Sequence, residues 1–170
     1  MITNELVVPV NERDHIAGRL DAPVLLVEYG DFECPHCGRA YPIVEAARRQ
    51  LGKEMGFVYR HFPLAEAHPH AVLAAQAAEA AGAQGKFWPM HHMLFEHQDA
   101  LELDLTRFSR ELSNQTYATK VRDDFRGGVR SGVNGTPTFF INGVRFDGDW
   151  SDPTTFIAVL VQAARMDAPA

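Results

Sequence analysis

The stretch Val24-Leu25-Leu26-Val27-Glu28-Tyr29-Gly30-Asp31-Phe32-Glu33-Cys34-Pro35-His36-Cys37 decides how this chain reads. Residues 24–29 form a nearly continuous apolar run, too short for a helix and rich in β-branched side chains. They predict a strand buried on both faces. Gly30 and Asp31 end it. A helix then starts near the cysteines and runs to about Leu51, where Gly52 supplies a stop. Pro42 falls inside that helix and is expected to kink it, because it removes a donor and crowds the preceding turn.

Outward from this unit, Phe57–Phe62 reads as a second strand ended by Pro63. Strand, helix, strand implies a parallel pair. From Pro69 to about Arg130 the pattern is helical: Ala71–Ala83 is alanine-rich, Phe87–His97 has apolar residues three and four apart, and Leu105–Leu112 and Tyr117–Val129 repeat this. Strand character returns at Thr138–Ile141. Asn142-Gly143 is a two-residue hairpin signal, and Val144–Phe146 is the returning strand at an antiparallel edge. Asp152 caps a last helix opened by Pro153 and ending near Met166. Upstream, Glu12–Arg19 is expected to form a short helix. The fold class is α/β, a mixed sheet built from residues 1–64 and 131–170 with a helical insertion at 65–130.

A chain of 170 residues with 46% hydrophobic residues can bury a core without staples. The net charge of -6 argues against nonspecific binding to nucleic acid or anionic membranes. No apolar run approaches the roughly 20 residues that span a bilayer. The first residues, Met1-Ile2-Thr3-Asn4-Glu5-Leu6, show no basic n-region or apolar h-region. That sets a cytoplasmic location as the expectation, and a periplasmic or exported one if the sequence is a mature form.

The chain has 2 cysteines, two residues apart, so they close too small a loop to act as a structural staple. At a helix start, Cys34 meets unpaired backbone N–H groups and the positive end of the macrodipole. Both stabilise a thiolate, the attacking species. Cys37, a turn further in, is the resolving thiol. Pro35 stiffens the turn. His36 can donate a hydrogen bond or place positive charge near the Cys34 sulfur, which tilts the pair towards oxidising its substrates. Glu33 would oppose the thiolate if it points towards it. Two other readings compete. C-x-x-C is half of a zinc site, for which His68, His70, His91, His92 or His97 would have to complete the ligands. The pair could also be inert buried thiols. The strand–C-x-x-C–helix context favours redox chemistry. His91, His92 and His97 are expected to be exposed and solvated.

Tyr29 to Cys37 resembles the active-site stretch of the DsbA-like thiol–disulfide oxidoreductases of the thioredoxin superfamily. Asp21-Ala22-Pro23-Val24 resembles the lead-in to that family's first core strand. Gly85-Lys86-Phe87-Trp88-Pro89-Met90-His91 resembles part of its helical insertion, and Gly135-Thr136-Pro137-Thr138-Phe139 its cis-proline loop. The resemblance covers roughly residues 14 to 165. It implies a thioredoxin-like fold. It further implies that Pro137 faces the cysteines and presents backbone to an extended peptide. Thr136 would touch the attacking sulfur through its side chain or carbonyl. Glu28 would be the buried acid that helps move a proton to or from Cys37.

The expected function is therefore exchange of disulfides with protein or peptide thiols, in the oxidising direction, with no cofactor and with an unidentified redox partner that resets the pair. The alternatives are a cytosolic reductase or isomerase, a metal-binding thiol module, and a peptide-binding chaperone.

Overall fold

The computed structural model of the chain describes residues 4–100 and 117–166. Its elements in chain order are β1 (His15–Ala17), β2 (Val24–Gly30), α1 (Pro35–Leu51), β3 (Met55–His61), α2 (Ala71–Gly82), α3 (Phe87–Glu96), α4 (Ala118–Arg130), β4 (Thr138–Ile141), β5 (Val144–Phe146) and α5 (Pro153–Met166). The expected helix over Leu105–Leu112 lies outside the described residues.

The five strands form one mixed sheet in the order β1-β3-β2-β4-β5. β2 sits at its centre, as its unbroken apolar run requires. It pairs in parallel with β3, Val24 opposite Met55 through to Gly30 opposite His61. It pairs antiparallel with β4, and β4 turns back into β5 through Asn142-Gly143. Both turn residues have positive φ, 48° and 82°, the geometry that a tight hairpin demands and that Asn-Gly tolerates.

One expectation is corrected. Residues 12–19 hold no helix; His15–Ala17 pair antiparallel with Tyr59, Val58 and Phe57. The free edge of β3 satisfies their backbone, and His15 adds a bond across to Glu79 of α2 (Nε2 to Oε1, 2.8 Å). α1 runs from Pro35 to Leu51 with Pro42 inside it.

Cores lie on both faces of the sheet. One holds Leu26, Phe57, Tyr59 and Phe139 beneath α1, α3 and α5, with Ala74, Ala77 and Ala78 of α2. Its large apolar side chains, such as Phe57, Phe139, Phe156 and Leu160, are at most 1% exposed. Each contributes on the order of 1.5–3 kcal/mol by leaving water. The other core joins Val27, Tyr29, Val58, Phe62 and Phe140, with Phe125 of α4 packed against it. α4 can come this close because Gly128 faces the Phe62 ring, where a Cβ would sit 2.6 Å from Cδ2. The outcome places the Cys34 end of α1 at the carboxyl ends of the parallel strands β2 and β3.

Candidate active site

The end of β2 and the start of α1 are joined by a short loop whose backbone turns on Asp31. The Asp31 carbonyl accepts from Cys34 N at 3.1 Å, and the Asp31 N–H points at Cys37 Sγ at 3.5 Å. Cys34 occupies the helix N-cap with extended backbone, and Pro35 starts the helix, where its missing N–H leaves nothing unpaired. Gln98 closes the loop from the side, its Nε2 donating to Phe32 O at 2.7 Å and Cys34 O at 3.0 Å. Glycine at position 38 leaves room for it; with a Cβ there the Gln98 amide would have to shift.

Both cysteines are free thiols in this structure. The Cys34 sulfur lies 3.5 Å from the carbonyl oxygen of Thr136, and the Thr136–Pro137 peptide is cis. The chain folds so because β4, which begins at Thr138, pairs with β2 up to Tyr29 and carries the preceding residues to the cysteine loop.

The two thiols are driven apart in acidity. Cys34 is lowered to about 5. The hydrogen bond from the Cys37 thiol is the largest cause; burial opposes it, and Thr136 and the backbone N–H groups of Cys37 and His36 add to it. The Thr136 hydroxyl is buried with no other partner, so it is free to donate to a Cys34 thiolate. Cys37 is pushed well above its ordinary value, first by burial, then by its bond to Cys34 and by the charge of Glu28. Glu28, 2% exposed, has its pKa raised to about 8, mainly by burial and then by the charge on Cys34. Its Oε1 has no partner.

Of the seven residues singled out from the sequence, Cys34, Cys37, Glu28 and Thr136 interact directly, Pro35 opens the helix between the cysteines, and Pro137 follows Thr136 across the cis bond. His36 takes part differently than expected. Its ring is exposed and Nδ1 lies 2.7 Å from Arg39 NH2, so the residue reaches Cys34 through its backbone N–H. Glu33 does not point at the thiolate; its carboxylate accepts from the backbone N–H of His70 at 2.7 Å and lies 3.0 Å from His70 Nδ1. His91 is buried rather than solvated, at 2% exposure, with both ring nitrogens unpartnered. Burial, followed by the charge of nearby His92, holds it well below the ordinary histidine value. Among the described residues, no three His, Cys, Asp or Glu side chains gather in a way that could hold a metal ion.

Several members of the site were not legible in sequence. Asp31 reads there as the end of a strand, yet its carboxylate accepts from Glu33 N at 2.8 Å, Leu64 N at 2.9 Å and His68 Nδ1 at 2.8 Å. Tyr59, beside Glu28 in the sheet register, keeps a buried hydroxyl with no partner. Glu79 bridges His15 and His61, which lie 2.8 and 2.7 Å from its Oε1. The one available signal was composition: histidines and acids in a part of the chain otherwise apolar.

Residues 10–158 match a family described as thioredoxin. In fold, the chain is similar to BdbD of Bacillus subtilis (TM-score 0.75, 19% identity, 96% of this chain and 98% of that one). It is also similar to alpha-DsbA1 of Wolbachia pipientis (TM-score 0.76, 23% identity, 97% of each chain). In sequence, it is 45% identical over 160 residues to a Salinispora arenicola protein named Na(+)/H(+) antiporter NhaA 1, a match covering 86% of this chain and 24% of the relative. It is 43% identical over 168 residues to a protein of the same name in Mycolicibacterium vanbaalenii, covering 91% and 27%. The chain thus spans about a quarter of the length of these curated relatives.

Proposed function

The chain belongs to the thioredoxin family, and from that premise we propose that it is a thiol–disulfide oxidoreductase that oxidises protein or peptide dithiols through Cys34 and Cys37. The observation that carries this reading is the placement of the two thiols: Cys34 at the N-cap of α1, 3.5 Å from the Thr136 carbonyl beside a cis proline, and Cys37 fully buried beneath it, an arrangement that lowers Cys34 to about 5 and raises Cys37. A stabilised Cys34 thiolate stabilises the reduced pair, so the disulfide gives up its bond readily.

In the oxidising direction, a substrate thiolate attacks the Cys34 sulfur of the Cys34–Cys37 disulfide. The S–S bond breaks, and Cys37 leaves with the electron pair. Cys37 holds a proton strongly, and the protonated carboxyl of Glu28 is the buried donor within reach of its charge. A second substrate thiolate then attacks its partner sulfur in the mixed disulfide, and Cys34 departs as the stabilised thiolate. The substrate loses two electrons and two protons; one proton rests on Cys37 and the other enters solvent. The Thr136 carbonyl lies 3.5 Å from the Cys34 sulfur, and the cis Thr136–Pro137 segment would offer backbone to an extended peptide. A redox partner must then reoxidise the pair; no cofactor enters any of these steps.

Cys34→Ser should abolish oxidation of a model dithiol peptide, and Cys37→Ser should trap a mixed disulfide at Cys34. Retained dithiol oxidation in Cys34→Ser would sink the proposal. The equilibrium of the pair with glutathione fixes the direction: a position near thioredoxin's would make the protein a reductase.

The antiporter activity in the relatives' names belongs to proteins about four times as long. We assign to this chain only the redox chemistry whose residues it carries, as the counterpart of one portion of those proteins. Among the described residues, no helix is long and apolar enough to cross a membrane. An oxidant of this kind acts where disulfides persist, so the cytoplasmic expectation finds no support and an oxidising compartment suits the site better.

A further inference from the structure

The loop between β3 and α2 lies against the cysteine loop and is fastened to it at two points. His68 meets Asp31, Nδ1 to Oδ2 at 2.8 Å, and Leu64 N donates to the same oxygen at 2.9 Å. Two residues further on, His70 meets both oxygens of Glu33 through its backbone N–H and its ring. Asp31 has a side chain with 0% exposure and His68 one with 18%. Two acids, Asp31 and Glu33, thus stand immediately before Cys34 in sequence, and each is matched by a histidine of one loop.

Left alone, two carboxylates at this position would oppose a thiolate on Cys34. We infer that residues 62–70 form a strap in which His68, through Asp31, is a positioning residue that keeps Cys34 in its reactive thiolate form, while His70 fastens Glu33 by hydrogen bonds. This rests on the redox reading of the same site and names what regulates it. Asp31 is the mechanical link. Its carboxylate holds the strap, its carbonyl holds Cys34 N, and its N–H faces Cys37 Sγ. The charges facing His68 are those of Asp31, Glu33 and Cys34. Burial works against its imidazolium, but the Asp31 bond and charge outweigh it, with Cys34 and Glu33 adding to them, so His68 titrates above its ordinary value. Interaction between two titrating charges is reciprocal: what the thiolate does for the imidazolium, the imidazolium does for the thiolate.

The test is a thiolate absorbance titration of Cys34 in the full chain, without substrate, together with the equilibrium of the cysteine pair against glutathione. His68→Gln keeps a donor for Asp31 and removes the charge. It should raise the Cys34 midpoint by roughly half a unit or more, about a threefold shift in equilibrium towards a less oxidising pair. Asp31→Asn should move the midpoint down, and adding His68→Gln in that background should move it little further. A Cys34 midpoint and glutathione equilibrium unchanged in His68→Gln would overturn the inference. So would an equal shift with and without Asp31, since a merely structural strap would show no such dependence. Failure of the parent protein to oxidise any dithiol would instead defeat the functional reading and leave the titration result standing.

Discussion

Strands β2 and β3 bury a polar cluster on each face of the sheet, and adjacent residues of the same two strands supply both. Tyr29 and Arg60 are register partners facing one side. There Arg60 makes a two-bond fork to Asp14 (2.9 and 2.8 Å) and donates to Val8 O, Pro9 O and the Tyr29 hydroxyl. Every guanidinium donor direction is used. Glu28 and Tyr59, one residue back, are register partners facing the other side, towards the cysteines. There Glu28 Oε1, the Tyr59 hydroxyl, His61 Nδ1 and both His91 nitrogens have no partner. A buried charge that is fully bonded holds structure together; a buried polar group left without partners costs stability. Among the described residues, that cost falls on the face where thiols must gain and lose protons, and not on the other.

The largest effect expected from this contrast is on the satisfied face. Arg60→Met leaves the buried Asp14 carboxylate with only the Asn11 N–H and the charge of Lys120 to offset it, and should lower stability to urea by about 3–5 kcal/mol, with the Cys34 titration unmoved. An unchanged urea midpoint would break the comparison at its root. Glu28→Gln should act with opposite sign. Folding raises the Glu28 pKa from 4.5 to about 8, so the native protein loses stability as pH rises through that interval. The glutamine variant should lack this loss, gaining up to about 4 kcal/mol near pH 7.5 and nothing below about pH 4.5. It should also form the mixed disulfide more slowly, since Cys37 then leaves without its proton donor, measurable by quenched-flow trapping.

Smaller effects sharpen the picture around the sulfur. Thr136→Val removes a hydroxyl that has no duty except to face Cys34, and the Cys34 midpoint should climb from about 5 by roughly half a unit. Tyr59→Phe is expected to be smallest. Its hydroxyl has no partner to lose, so stability should change by less than about 1 kcal/mol. A loss well beyond that would show that the cysteine face is bonded after all.

Which parts were legible in sequence follows the same division. β2, β3, the β4–β5 hairpin and the C-terminal helix were readable because local apolar pattern and turn chemistry coincide there. β1 was not, because His15–Ala17 has little strand character of its own and becomes a strand by completing the edge of β3. His91 departs from the expected solvated state for a related reason: a polar residue in sequence suggests solvent, and nothing local reveals that it packs among Phe57, Tyr59, Phe87 and Phe95. His36 was legible as part of the active turn but not in its mode of action, since the Arg39 contact that turns its ring aside is a matter of rotamer.

By itself the sequence determined the central strand, the C-x-x-C helix start and the chemistry two thiols can perform there, because these depend on residues within one turn of each other. Only the tertiary structure decided how those thiols are set. It brought Thr136 to the Cys34 sulfur across 102 residues, and Asp31 to His68 across 37. Charge and desolvation act through space, so thiol acidity is a property of neighbours that only the folded chain supplies.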